Sequence, residues 1–359
     1  MQIEEPKAQG TQSKYVARDV SEAVGLTPIV RLNRLGQLCQ THQLFLKLES
    51  CNPAGSIKDK NAAYLIRHAE LSGTLNPGGT IIESSSGNFG IGLAMIGAAR
   101  GYRVIIVVDA KTPPPMRRML KAYGAQLVDV PDGSADEHGS MQLARMKKAA
   151  DLAEQIPGGW YVCQHLNPLN PVAHAEYTAK EIENSFRQMP DAIVVGVSTA
   201  GQVAGLASYL KHRYPSLALV GVDVDGSAIF GTPRRPYKMT GLGLSFVPPS
   251  FKPDFLSEAY LVNDSLAFSM CRDLAQKEGL LTGASTGAIV CAGLAYAHRH
   301  PNKKRILLIN PDRGDRYLET VFNDEWIAQM KIELQTGPQL IRSAEGLVPV
   351  PKSTLRGES

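Results

Sequence analysis

The strongest constraint on this chain is its rhythm. Short runs of β-branched and aliphatic residues alternate with longer amphipathic stretches almost from end to end. Parallel strands need a connection of a dozen or more residues, which a helix supplies, so the rhythm predicts an open α/β architecture. Residues 80–83, 103–108, 192–195, 217–222 and 305–309 are the clearest strands, and being apolar on both faces they belong in the centre of a sheet. Residues 56–71, 88–100, 114–123, 136–155, 172–187, 202–213, 265–278 and 286–298 read as helices, several opened by Pro, Ser, Thr or Asp and closed near Gly. Two stretches fall outside the rhythm. Residues 226–253, rich in Gly, Pro and basic side chains, read as a long loop, and 331–359 as a flexible tail or a surface-draped extension.

Composition removes several alternatives. With 43% apolar residues, 20% charged and 33 glycines dispersed through 359 residues, the chain is neither disordered nor collagen-like and is long enough for two domains. The net charge of +4 is too small and too spread to mark a nucleic-acid surface. Five cysteines without a CxxC pair read as thiols of a reducing compartment, and the eight histidines show no metal-ligand spacing. The opening MQIEEPKAQGTQSK lacks a signal-peptide core, and no apolar run reaches the roughly 18 residues of a spanning helix, so a cytoplasmic protein without membrane contact is expected.

Chemistry concentrates at three polar, glycine-bearing junctions that follow apolar strands: Glu83-Ser84-Ser85-Ser86-Gly87-Asn88, Gly196-Val197-Ser198-Thr199-Ala200-Gly201-Gln202 and Thr282-Gly283-Ala284-Ser285-Thr286-Gly287. Each alone reads equally well as a helix cap. Three together suit a ligand with several polar handles, because ligands of open α/β sheets bind beyond the carboxyl ends of strands, where helix N-termini present free N–H groups. Lys58 adds a fourth signal, since a cation in the first turn of a helix is disfavoured by the positive helix end. It is either a solvated surface lysine or one whose charge is removed by imine formation with a carbonyl cofactor.

These segments, in this order, closely resemble the cysteine synthase and cystathionine β-synthase family of fold-type II enzymes, from about Val24 to Met330: the Asn52-Pro53 to Lys58 stretch, SSSGN, GVSTAG and GASTG. The resemblance implies a tryptophan-synthase-β-like α/β fold with two open, mostly parallel twisted sheets flanked by helices. The active site would lie in the cleft between a larger domain (1–50 with 165–330) and a smaller mobile one (51–164), and the enzyme would be a homodimer. It implies pyridoxal 5′-phosphate as cofactor, held as an imine by Lys58, which later moves the substrate's Cα proton. Asn88 would bond the ring hydroxyl; Ser198, Thr199, Ala200, Gly201 and Gln202 the phosphate; and Ser285 the ring nitrogen. Ser85, Ser86, Gly87 and Asn88, completed by Gln164, would hold the substrate α-carboxylate, and Gly241 would belong to a Gly-Leu-Gly loop closing over the site.

Ser198, Ala200 and Gln202 depart from the Gly-Thr-Gly-Gly-Thr usual in cysteine synthases. GVSTAG, VDVDGSAIFG, Gly-Leu-Gly followed by Ser245, GASTGAIV and especially Pro311-Asp312-Arg313-Gly314-Asp315-Arg316-Tyr317-Leu318 resemble the family branch that joins O-phospho-L-serine to L-glutamate in siderophore biosynthesis. The implied reaction is β-replacement on small anionic amino acids, giving a precursor of 2,3-diaminopropionate. Arg145 is the candidate cation for those anions, against the reading of a solvated helix-face arginine. Alternatives are a cysteine synthase using sulfide, a synthase using ammonia and, from another class, a catalytically silent binding homologue. No metal is implied. Cys51 reads as a packing residue, and the basic tract 298–305 as a charged helix end.

Overall fold

The computed structural model describes residues 16–35, 42–136 and 139–357. The N-terminal MQIEEPKAQGTQSK stretch lies wholly outside the described residues. Among the described residues ten strands, numbered along the chain, form two sheets: β1 (Ile29–Arg31), β2 (Gln43–Leu48), β3 (Thr80–Ser84), β4 (Arg103–Val108), β5 (Gln126–Asp129), β6 (Gly159–Tyr161), β7 (Ala192–Gly196), β8 (Ala218–Val224), β9 (Glu258–Val262) and β10 (Arg305–Asn310). The larger sheet has the order β1-β2-β10-β7-β8-β9, parallel except for β1 against β2. The smaller one, β5-β4-β3-β6, is wholly parallel. β3 and β8 are buried along their whole length, which is why their sequences carry apolar side chains on both faces.

Helices cover both sheets: α1 (Lys58–Leu71), α2 (Asn88–Arg100), α3 (Pro114–Ala122), α4 (Gln142–Gln155), α5 (Leu169–His174), α6 (Lys180–Ser185), α7 (Gly201–Leu210), α8 (Asp264–Glu278), α9 (Ala284–Arg299), α10 (Asp324–Gln329) and α11 (Gly337–Glu345). A π-helical turn, Ala175–Ala179, joins α5 to α6. Two of these helices, α8 and α10, open on asparagine side-chain caps. The Asn263 side chain accepts from the Leu266 N–H at 2.9 Å to open α8, and Gly279 closes it at φ +69°. Among the described residues no helix is long and apolar enough to cross a membrane.

Two expectations change. The helix expected from residue 136 begins at Gln142, because the Asp136 carboxylate accepts from the Ser140 N–H at 2.8 Å and closes a local turn instead of capping the helix. The expected flexible tail takes its other form, a draped extension with its own order. Leu340, Ile341 and Ala344 of α11 are buried in the cluster that also contains α8 and α9 residues. Beyond them Val350 N–H bonds the Ala259 carbonyl of β9 at 2.8 Å and Leu355 is buried. An amphipathic nine-residue helix was hidden there between glycines and prolines. Residues 226–252 carry no helix or strand, as the loop reading had it.

Candidate active site

Lys58 opens α1 and is held there from two directions. The segment before it is stitched to the chain leaving β10, with Ile57 N–H to the Pro311 carbonyl at 2.8 Å and Arg313 N–H to the Gly55 carbonyl at 3.2 Å. From behind, Lys60 Nζ donates to Glu49 Oε1 at 2.7 Å and to Glu181 Oε2 at 2.8 Å, and Lys47 Nζ to Glu181 Oε2 at 2.7 Å. All four side chains are buried, and the set carries no net charge, so each buried ion keeps a counter-ion while α1 is tied to β2 and α6.

The Lys58 side chain lines a cavity of about 860 Å³ between the two sheets. Its walls come from the carboxyl ends of β3, β7 and β10, as open α/β sheets dispose their sites. Burial pulls the Lys58 amine below the ordinary lysine range, opposed by the Asp312 carboxylate. Ser85, Ser86, Gly87, Asn88 and Gln164 line the same cavity. Ser85 Oγ accepts from the Gly90 N–H at 3.0 Å, and Gln164 N–H donates to Glu83 Oε2 at 3.2 Å, so both loops are fixed before any ligand arrives.

Ser198 and Thr199 are on the wall as well. Ala200 adopts the left-handed conformation, φ +60°, which turns the chain into α7 and leaves the first N–H groups of that helix free. A side chain at Gly201 would have to displace Asn170, because a Cβ there would lie 2.0 Å from Asn170 Oδ1. Asn170 accepts from Asn61 Nδ2 at 2.6 Å and donates to Thr199 Oγ1 at 3.1 Å and to the Gln164 carbonyl at 2.9 Å. One side chain therefore couples α1, the Gln164 loop and the β7–α7 turn. The buried Gln202 Nε2 has no hydrogen-bond partner. The cavity is also lined by Ser285, buried in the first turn of α9, and by Gly241, φ +90°, where a Cβ would lie 3.4 Å from Ser285 Oγ.

Arg145 reaches the cavity from α4 and is 9% exposed, not solvated. Its Nε lies 3.1 Å from Asp109 Oδ2, yet Nε and Nη1 make no hydrogen bond. Lys111, Arg234, Arg235 and Lys238 also line the cavity, against two carboxylates among the described residues, Asp109 and Asp312. Sequence reasoning gave no role to Asn61, Asn170, His165 or Asp312. Asp312 stood in a quoted motif, but nothing local distinguishes the two asparagines. His165 is also on the wall; burial first, then Arg145 and Lys58, bring it down to about 4, so it is neutral at pH 7. Among the described residues no group of three His, Cys, Asp or Glu could hold a metal ion.

The residues fit pyridoxal 5′-phosphate. A desolvated amine stands in the cavity, free N–H groups and an unpartnered amide donor mark the start of α7, and a buried hydroxyl sits at the start of α9. Comparisons with known proteins agree. Residues 20–312 match the family model described as pyridoxal-phosphate dependent enzyme. The chain is 38% identical to an N-(2-amino-2-carboxyethyl)-L-glutamate synthase of Cupriavidus metallidurans over 318 residues, 88% of this chain and 92% of that one. A protein of the same name from Ralstonia nicotianae is 38% identical over 315 residues, with the same coverage. Among crystal structures, an O-ureido-L-serine synthase is similar with a TM-score of 0.80 and 34% identity, covering 88% of this chain and 100% of that one. A cysteine synthase from Entamoeba histolytica is similar with a TM-score of 0.84 and 30% identity, covering 95% and 99%. The chain belongs to the pyridoxal-phosphate-dependent enzyme family and is a β-replacing synthase of the cysteine synthase type.

Proposed function

We propose that the enzyme joins O-phospho-L-serine to L-glutamate, releasing phosphate and forming N-(2-amino-2-carboxyethyl)-L-glutamate, a precursor of 2,3-diaminopropionate. The observation that carries this is the cationic wall, above all the buried Arg145 guanidinium, whose Nε is ion-paired with Asp109 while Nη1 has no hydrogen-bond partner. A sulfide nucleophile has no use for such a group, whereas a dicarboxylate does. The two curated relatives are named for the same product, N-(2-amino-2-carboxyethyl)-L-glutamate, which supports glutamate as the nucleophile.

Bound pyridoxal phosphate supplies the electron sink that acidifies the substrate Cα–H and lets the β-substituent leave. The chain's residues do the rest. The desolvated Lys58 amine takes the Cα proton. Ser85, Ser86, Gly87 and Asn88, with Gln164, offer hydroxyl, N–H and amide donors to the α-carboxylate. The β7–α7 turn, from Ser198 to Gln202, would hold the cofactor phosphate, and the Ser285 hydroxyl would serve the ring nitrogen. A hydroxyl does not hold a full positive charge there as a carboxylate would, which favours expulsion of the leaving group over racemisation or transamination. Gly241 and its neighbours close over the site and exclude water.

The test offers glutamate, ammonia and sulfide in competition to the holoenzyme with O-phosphoserine and identifies the products by mass. The glutamate adduct is expected to dominate, and cysteine as the sole product would overturn the reading. In Arg145→Met, kcat/KM for glutamate should fall roughly 100-fold, the worth of one or two charge-assisted hydrogen bonds, while the rate with sulfide changes far less.

A further inference from the structure

One buried acid on the cavity wall has no part in those steps. Asp312 follows β10 and is 1% exposed. Its Oδ2 accepts two hydrogen bonds, from Asn88 Nδ2 at 2.7 Å and from the Tyr317 hydroxyl at 2.5 Å. Oδ1 has no hydrogen-bond partner and lies 2.0 Å from where a Cβ on Gly283 would be, so glycine at 283 is what admits the carboxylate against the start of α9. On the far side of Asn88, Arg316 donates to Asn88 Oδ1 and to the Ala54 carbonyl.

A primary amide has one acceptor oxygen and two N–H donors. Arg316 takes the Asn88 oxygen and Asp312 takes one N–H, which leaves a single N–H for the cavity. Flipping the amide would set its NH₂ against a guanidinium and its oxygen against a carboxylate, two repulsive contacts in place of two charge-assisted bonds. Both donors to Asp312 use Oδ2, so the arrangement also survives a proton on Oδ1, toward which burial drives this acid against Arg316, Tyr317, Asn88 and Lys58.

We propose that Asp312 is a positioning residue that, opposite Arg316, locks the Asn88 amide so that it offers the hydroxyl oxygen on the bound cofactor's ring a donor and never an acceptor. This rests on the pyridoxal phosphate reading of the site.

The test is a double-mutant cycle read by titrating apoenzyme with pyridoxal phosphate and following its affinity and visible absorption band. Asp312→Ala should weaken affinity roughly tenfold and shift the band; in an Asn88→Ala background the same substitution should change affinity by less than about twofold. Asp312→Asn, close in shape and still able to accept, should give a smaller loss that also vanishes in the Asn88→Ala background, and it carries the test if the alanine variant does not fold. Equal losses in both backgrounds, or wild-type behaviour of both single variants, overturn the positioning role alone. Wild-type apoenzyme that takes up no cofactor overturns the cofactor reading, and the proposal with it.

Discussion

Gly201→Ala isolates the coupling around the β7–α7 turn. Gly201 is the first residue of α7 and has no positive φ, so intrinsic helix propensity alone makes alanine the better residue, by at most about 1 kcal/mol at a helix end. The structure reverses that sign. The new methyl would stand 2.0 Å from Asn170 Oδ1 and 2.5 Å from its Cγ, so Asn170 must withdraw by more than about 1 Å to reach ordinary contact. That movement breaks its bonds with Asn61, Thr199 and the Gln164 carbonyl together. At about 1 kcal/mol net for each bond the loss is about 3 kcal/mol, offset by the helix gain to about 2 kcal/mol. If the displaced turn is the phosphate site, cofactor affinity should fall by roughly 30-fold. Urea unfolding and pyridoxal phosphate titration of the purified variant measure the two effects. In an Asn170→Ala background, where the obstacle is gone, the same substitution should cost far less. A Gly201→Ala protein as stable as wild type and with unchanged cofactor affinity would refute the reasoning.

Two further outcomes follow from buried groups outside the cavity. Leu340→Ala in α11 should destabilise the protein by about 2–5 kcal/mol in equilibrium unfolding, as a fully buried leucine does; a neutral result would return this helix to the status of a loose tail. Asp223, beneath the Gly241–Gly243 loop, is driven by burial up to about 8, and its Oδ2 has no partner. An acid with a higher pKa folded than unfolded keeps its proton in the native state, so its contribution is full at low pH and is lost as pH rises from the ordinary carboxylate range toward 8. Asp223→Asn should flatten that decline, by up to about 1.4 kcal/mol per pH unit, and unfolding curves with the same pH slope as wild type would count against it.

Much of the fold was legible because its signals are short-range. β4 and β10 show as unbroken apolar runs, and α2 ends at Gly101 where its pattern ends. β2 was missed because Lys47 interrupts its apolar run, and that lysine is buried only because Glu181, remote in sequence, supplies a counter-ion. The start of α4 was misplaced because an Asp can cap a turn as readily as a helix. α11 was missed because its amphipathic face has meaning only beside α8 and α9.

The same division runs through the site. By itself the sequence determined the alternation that makes an α/β chain, the three glycine-bearing turns and the lysine at a helix start, since residue type and local spacing govern caps, turns and strand burial. Which groups face one another was decided by the tertiary structure alone. It brought Arg145 out of solvent and into the cavity, tied Gly201 to Asn170, and set Asp312 against Asn88 across more than two hundred residues. Desolvation and hydrogen-bond pairing act on distances of a few ångströms in space, and those distances exist only after strands far apart in the chain have come together in one sheet.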